Sequence, residues 1–249
     1  MTSAVLVHGL YHQPEHFIRV AEGLRAAGVD LVVPELHRGS LTADTAAVQA
    51  AVDVLAEPPL VLGHSYGGSV ITGLSGLGRL VYLAAFVPDT GESAAGLGGA
   101  SAELKAAIEP ETYGSTRLDA SWAVDALYAD CPGRLGSGTA TSPGGRLQTR
   151  STGTPKLETS PSVYVVCTRH RAIAPAPQQV MAARCDSVRE SETGHSPFVG
   201  QPELVIDLVL ELLDLGRTGP GRPGDYNHAM RRRSSSRPST SGCDRGVGT

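Results

Sequence analysis

Residues 59–69 of the chain read PLVLGHSYGGS, and this stretch organises the predicted fold. A short apolar run enters a Gly-x-Ser-x-Gly pentapeptide centred on Ser65, and a segment compatible with a helix follows it. This order is the sequence form of a nucleophile elbow, a sharp strand-to-helix turn with a serine at its tip. A glycine-rich turn with an incidental serine is the alternative, and the flanking strand and helix favour the elbow. We expect Gly63 and Gly67 to be required, since a Cβ there would collide with backbone.

Predicted strands and helices alternate on both sides of the elbow. Because such alternation is typical of a parallel sheet with right-handed crossovers, we predict an α/β fold with helices flanking the sheet. In sheets of this kind, functional groups gather beyond the carboxyl ends of the strands. The predicted strands are residues 3–7, 29–33, 60–64, 79–84, 163–168 and 187–190, and the predicted helices are residues 14–27, 42–55, 66–77, 176–183 and 203–215.

Two regions depart from this alternation. Residues 90–160 contain two short predicted helices, 103–108 and 121–128, and then a run rich in Gly, Ser, Thr and Pro. We predict that they form a small cap inserted after the strand that ends near Ala84, with residues 132–160 either a mobile cover or a defective region. Residues 1–215 would then form one domain. Because residues 216–249 lack recurring core residues, they are predicted to be a disordered basic tail.

Composition excludes several functional classes. The chain has 249 residues and a net charge of −4, which gives no attraction to nucleic acid or anionic lipid. Its apolar runs are too short to cross a membrane, and the start of the chain lacks the features of a signal peptide. The four cysteines show no metal-ligand spacing, so no metal is predicted and the thiols are expected to be reduced. These features together predict a cytoplasmic protein.

Acyl transfer to a serine needs a base, an orienting acid and an oxyanion hole in addition to the nucleophile. We predict His195 as the base, because it follows Gly194 and a predicted strand late in the chain. The N–H groups of Tyr66 and Leu10, which follow the nucleophile and the first strand, are predicted to form the oxyanion hole. Among the other histidines, His64 should point away from Ser65.

Five motifs in order carry a resemblance to a known family: HGLYH from residue 8, GHSYGG from residue 63, LVYLAAFVPD from residue 80, VVCT from residue 165 and GHSP from residue 194. The chain resembles the α/β-hydrolase superfamily, and within it the methylesterase and hydroxynitrile-lyase family, particularly its bacterial members. The resemblance covers about residues 3–131 and 162–215. It implies a six-stranded parallel core and cofactor-free hydrolysis of small carboxylic esters by Ser65 and His195, with Gly9 and His12 at the substrate.

The lyase branch resembles the chain less well. Its members carry Thr where this chain has Gly9, and Lys where it has Ser196. That lysine supplies positive charge for the departure of cyanide, so its absence favours an esterase. A hydroxynitrile lyase therefore ranks below an esterase, and a binding protein that has lost its proton relay is the second alternative. We expect the chain to bind a small ester, and neither nucleic acid nor a membrane. The sequence leaves open whether the chain forms a homodimer.

The orienting acid departs from the family pattern. The resemblance places an Asp where this chain has His170, and a neutral imidazole offers the base no compensating charge. Some α/β hydrolases carry their acid after the strand that follows the elbow strand, where this chain has Asp89. We therefore hypothesise that Asp89 orients His195. The competing interpretation is that Asp89 only begins a Pro-Asp-Thr-Gly turn.

Overall fold

A computed structural model describes residues 2–36, 39–98, 101–110, 116–131, 160–173, 175–214 and 230–233. The strands are β1 (Ser3–Val7), β2 (Asp30–Val32), β3 (Leu60–His64), β4 (Arg79–Leu83), β5 (Ile108–Pro110), β6 (Thr116–Leu118), β7 (Ser162–Cys167), β8 (Ser187–Ser191) and β9 (Met230–Arg233). The helices are α1 (Ile18–Ala26), α2 (Leu41–Asp53), α3 (Tyr66–Thr72), α4 (Ala102–Ala107), α5 (Ala120–Leu127), α6 (Pro175–Ala182), α7 (Pro197–Gly200) and α8 (Pro202–Leu212), with a 3-10 turn at Pro14–Phe17.

The main sheet has the order β2-β1-β3-β4-β7-β8-β9. Its first six strands are parallel, which confirms the predicted α/β fold with a six-stranded parallel core. β3, which leads into the elbow, lies between β1 and β4. Because the strands run the same way, the loops after β1, β3, β7 and β8 all leave the sheet at one edge. That edge carries the predicted site.

The sheet separates two apolar clusters, one on each face. Successive β1 residues alternate between them, with Val5 and Val7 in one cluster and Ala4 and Leu6 in the other. The first cluster includes residues of α2, α3 and α6, and the second includes residues of α1, α7 and α8. All five residues of β1 and of β3 are buried, as expected for strands covered on both faces.

The cap consists of α4, the antiparallel pair β5–β6 and α5. Both cap helices begin at a side chain that accepts a backbone N–H, Ser101 for α4 and Asp119 for α5. The two helices were predicted and are confirmed. The strand pair was not predicted, because strands of three residues are too short for a period of two to stand out. The predicted run at 132–160 lies outside the described residues, except for Ser160.

Two boundaries differ from the sequence predictions. The helix predicted over 66–77 ends at Thr72, and Gly76 adopts a φ of +72°, which a helix interior does not contain. The tail predicted to be disordered contains β9, which pairs antiparallel with β8 in the register Glu190↔Arg231. β8 would otherwise be an edge strand whose backbone groups are open to pairing, and β9 covers that edge.

Among the described helices, none combines the length and the apolar character that crossing a bilayer requires.

Candidate active site

Ser65 lies at the tip of the turn between β3 and α3. Its φ of 54° and ψ of −119° belong to a region that residues other than glycine seldom occupy. The backbone around it is held on both sides: its N–H donates to Leu83 at 3.3 Å, and its carbonyl accepts from Gly68 and Phe86 at 3.0 Å. A strained serine that its surroundings fix in place is the expected geometry of a nucleophile elbow.

The glycines of the elbow are required by close backbone approach. A Cβ on Gly67 would lie 2.4 Å from the carbonyl oxygen of Val7, and one on Gly63 would lie 2.7 Å from the carbonyl oxygen of Gly67. Backbone oxygens cannot swing aside as a flexible side chain can. The structure therefore confirms the reason that the sequence suggested for both glycines.

The loop after β1 passes directly beside the nucleophile. A Cβ on Gly9 would lie 2.8 Å from the Cβ of Ser65, so a side chain at this position would require the loop to move. Leu10 lines the same cavity as Ser65. Tyr66 is the first residue of α3, and an N–H at that position has no acceptor within its own helix. Both donors proposed for an oxyanion hole are thus near the serine, and their role stays a prediction.

His195 follows β8 and lines the cavity together with Ser65. Its Nδ1 lies 2.5 Å from Nε2 of His170, which follows β7. The centroids of the two rings are 4.3 Å apart, and the ring planes meet edge to face at 71°. His170 therefore occupies the place of an orienting acid beside the predicted base, and Nε2 of His195 is the ring nitrogen that this contact leaves for Ser65.

Asp89 lies elsewhere, which corrects the hypothesis that it orients His195. Its side chain is exposed and accepts the N–H of Thr90 at 2.6 Å, and its backbone bonds with Glu92 in both directions. These contacts are those of a turn, the competing interpretation of the Pro-Asp-Thr-Gly sequence. Spacing after a strand could not distinguish the two, because the turn directs the carboxylate to solvent.

Two other buried histidines brace the loops of the site. His64 directs its Nε2 to the carbonyl oxygen of His195 at 2.9 Å, so it supports the backbone of the base. Its Nδ1 is buried without a partner within the described part of the chain. His8 bonds to the carbonyl of Gly9 at 3.0 Å and accepts the N–H of Leu36 at 3.4 Å. His8 thus supports the loop after β1.

His12 connects the loop after β1 to the loop that carries His195. Its Nδ1 lies 2.9 Å from the carbonyl oxygen of Leu10, so Nδ1–H donates and Nε2 accepts the hydroxyl of Ser196 at 3.1 Å. The residues that line the cavity do not include His12 among those described. The hydrogen bonds give His12 a bridging role between the two loops, and its place at the substrate stays a prediction.

Asp130 belongs to the site although the sequence did not single it out. Its Oδ2 accepts the N–H of Gly194, the residue before His195, at 2.6 Å. A Cβ at position 194 would lie 2.4 Å from its Oδ1, which is buried without a partner in the portion of the chain described. The only available signal was the place of Asp130 just after a cap helix, which by itself does not indicate a contact with a distant loop.

The cavity beside Ser65 and His195 is small and mostly apolar. It encloses about 30 Å³, room for about two water molecules. Two cap residues, Leu104 from α4 and Leu127 from α5, form part of its wall, and the remaining lining residues are Leu10, Tyr11, Phe86, Ala172 and Ile173. Because the cavity is partly open, a larger ligand would extend out of it or displace the cap residues.

Burial keeps the histidines of the site neutral. It lowers the pKa of His170 to about 3 and the pKa of His195 well below its ordinary value, and for His195 the neighbouring His170 and His12 add to the effect. Burial likewise lowers the pKa of His12 and of His64 well below the ordinary value, with further contributions from neighbouring histidines. The site therefore contains closely packed imidazoles that do not carry charge at neutral pH.

Three of these rings, His12, His64 and His195, offer nitrogens within 4.8 Å of one another. Such a group could in principle hold a metal ion. However, His12 already bonds through both nitrogens, and one nitrogen of each of the other two is engaged by a protein partner. We therefore assign these histidines to the hydrogen-bond framework, and the sequence prediction of no metal stays a prediction.

An elbow serine, a late histidine and a parallel sheet define an α/β hydrolase. The chain matches the alpha/beta hydrolase family over residues 4–208 and belongs to it. It is similar to a carbendazim-hydrolysing esterase of Nocardioides sp. (strain SG-4G), with 34% identity over 128 residues that span 45% of this chain and half of that esterase.

Solved structures show the same fold. A pyrethroid hydrolase from Sphingobium faniae JZ-2 superimposes with a TM-score of 0.75 at 19% identity, covering 86% of this chain and 97% of that one. A methylesterase from Arabidopsis gives a TM-score of 0.73 at 16% identity, with 86% and 99% covered. At such low identity the likeness shows the architecture of the chain and leaves its activity to be argued from the site.

Proposed function

We propose that the chain is a serine esterase that acts on small, largely apolar carboxylic esters without a cofactor. The observation that carries the proposal is the strained conformation of Ser65 in a cavity shared with His195. Strain of this kind costs roughly 1–3 kcal/mol and persists where the surrounding structure imposes it. Membership of the α/β hydrolases and the similarity to an esterase support the same conclusion.

The reaction would proceed through an acyl-enzyme. Oγ of Ser65 forms a bond to the ester carbon while its proton passes to Nε2 of His195, which accepts it in the tautomer that carries the ring proton on Nδ1. The N–H groups of Tyr66 and Leu10 would stabilise the oxyanion, and loss of one such donor typically costs about 10²–10³ in rate. The C–O bond of the ester then breaks, the proton passes to the leaving alcohol, and water releases the acid by the same route.

The lining of the cavity suggests the type of substrate. Leu10, Phe86, Leu104 and Leu127 offer apolar surface and little that could bind a charged group. The enclosed volume accepts only a small acyl or alcohol group unless the cap moves. Short-chain esters such as p-nitrophenyl acetate are therefore the first substrates to assay.

Labelling with a fluorophosphonate probe tests the nucleophile directly. We expect the probe to modify Ser65, identified by peptide mass spectrometry, and Ser65→Ala to abolish both labelling and ester hydrolysis. Ser69 is a matched control because it is a buried serine four residues along the chain, and Ser69→Ala should keep labelling. Modification of another residue, with Ser65 untouched, would refute the assignment.

A second candidate is a small-molecule-binding protein that retains the cavity and has weak hydrolytic activity. The contact between His170 and His195 favours it, because no negative charge at Nδ1 stabilises a protonated base. Failure of the folded chain to react with the probe would support this candidate. A hydroxynitrile lyase has less support, because Ser196 donates to His12 where a lyase would need a cation.

A further inference from the structure

Hydrogen bonds around His170 fix the position of its ring proton. Nδ1 of His170 accepts the backbone N–H of Ala172 at 3.0 Å and that of Ile173 at 2.8 Å. Backbone N–H groups can only donate, so this nitrogen carries no proton. A neutral imidazole carries one proton on one of its two nitrogens. The proton of His170 therefore lies on Nε2.

The contact with His195 transmits this choice to the base. Nε2 of His170 faces Nδ1 of His195, and because the first nitrogen carries a proton, the second has to accept it. Nδ1 of His195 is then unprotonated. Since the buried ring is neutral, its own proton lies on Nε2, the nitrogen available to Ser65.

We propose that His170 is a positioning residue that holds the proton of His195 on Nε2, the nitrogen that ester cleavage needs free. In this state Oγ of Ser65 can accept a hydrogen bond from the ring but cannot give its proton to it. Formation of the bond from Oγ to the ester carbon then lacks a proton acceptor on His195. The opposite tautomer would place two hydrogens between Nε2 of His170 and Nδ1 of His195, which the close contact disfavours.

A carboxylate at position 170 would reverse the arrangement. It only accepts, so it would draw the proton of His195 to Nδ1 and free Nε2 for the hydroxyl of Ser65. In a well-studied serine protease, replacing the acid by its amide imposes the wrong tautomer and lowers kcat about 10⁴-fold. The part of the inference that concerns rate rests on the proposed esterase function, whereas the proton positions do not.

The first experiment places the protons in the wild-type chain. Long-range ¹H–¹⁵N spectra distinguish a protonated ring nitrogen from a bare one, and loss of signals in His195→Ala and in His170→Gln assigns the two rings. We expect both rings to be protonated on Nε2 and bare on Nδ1. A proton on Nδ1 of His195 would overturn the proposal, whatever the activity of the chain.

The second experiment measures rate. His170→Asp and His170→Glu supply carboxylates of two lengths, because Asp is shorter than His and Glu reaches nearer the place of Nε2. At least one should raise kcat about 10²–10⁴-fold. KM should change little, since His170 is not among the residues that line the cavity. Their matched amides, His170→Asn and His170→Gln, can donate to Nδ1 of His195 and should give no increase.

The outcomes separate the inference from the proposed function. Wild-type proton positions as expected, with no ester cleaved by any variant, would leave the inference standing and refute the esterase. Rapid hydrolysis by a wild-type chain that is protonated on Nδ1 of His195 would do the reverse. If the wild-type chain does cleave esters, a carboxylate variant that is folded and protonated on Nδ1, yet no faster than wild type, would overturn the link between tautomer and rate.

Discussion

The site has two halves, one around Ser65 and one, the relay half, around His195, and they retain different features of a hydrolase site. On the side of Ser65, both backbone geometry and residue type suit a nucleophile, and Gly63 and Gly67 leave no room for a side chain. On the side of His195, the geometry is present, because His170 contacts the correct ring nitrogen, but the chemistry of the partner is different. The comparison shows that the position of a proton relay and its direction are separate properties. Packing fixes the first, and the type of partner fixes the second.

Substitution at Gly67 would disrupt the Ser65 half of the site, and it is expected to have the largest effect on stability and labelling. In Gly67→Ala the new Cβ would lie 2.4 Å from the oxygen of Val7 and 2.7 Å from that of His8, and both are backbone atoms. We expect a loss of about 3 kcal/mol in the free energy of unfolding, the upper end for overpacking. Fluorophosphonate labelling of Ser65 should also disappear.

Gly76 provides the control, since it adopts a φ of +72° and a Cβ added there would meet nothing within 4 Å among the described residues. Gly76→Ala should cost about 1–2 kcal/mol through backbone strain alone and leave labelling intact. Urea denaturation measures both variants. Equal losses in the two would mean that the backbone beside Gly67 yields to the new Cβ, and that the close approach of the β1 loop does not account for the elbow glycines.

Variants of Asp130 test whether the relay half depends on the hydrogen bond of Asp130 to the loop of His195, as well as on the contact between the rings of His170 and His195. Asp130→Ala removes the acceptor for the N–H of Gly194 and frees the loop that carries His195. We expect a loss of about 2 kcal/mol in unfolding free energy, typical of hydrogen bonds to charged groups. Because misplacement by about 1 Å can cost about 10²-fold, the labelling rate of Ser65 should fall about tenfold or more.

The conservative variant Asp130→Asn keeps an acceptor oxygen and should retain most of the labelling rate. Asp130→Asn should also retain most of the free energy of unfolding, which urea denaturation would measure. If Asp130→Asn were as slow as Asp130→Ala, the negative charge of Asp130 would matter to the site beyond its hydrogen bond. That result would revise the comparison, because the relay half would then contain a functional carboxylate.

The features that the sequence predicted and those that it missed differ in what determines them. Local patterns predicted the parallel core, the elbow glycines and the pairing of Ser65 with His195 in one cavity, because each is set by neighbouring residues or by strand order. The strand β9 could not be predicted, since its pairing depends on a distant edge. The hypothesis for Asp89, which rested on the family pattern, was wrong because the direction of a side chain is decided by the turn around it. Asp130 was missed for the same reason.

Lowering the pH should weaken the fold through the relay half. Burial lowers the pKa of His170 to about 3, whereas an unfolded chain binds the proton near pH 6.5. As the pH falls between these values, the unfolded state is protonated first, so the free energy of unfolding decreases. The expected slope is about 1.4 kcal/mol per pH unit for this residue, and the stabilisation is complete above about pH 6.5.

His170→Asn isolates this contribution, because it removes one titrating group and leaves the remaining buried histidines in place. Urea denaturation at several pH values between about 6.5 and 4.5 should give a shallower dependence for the variant, by about 1.4 kcal/mol per pH unit. Parallel curves for the two proteins would show that His170 is protonated equally in the folded and unfolded chains. His170 could not then be the neutral donor to His195, and the contrast between the two halves of the site would have to rest on geometry alone.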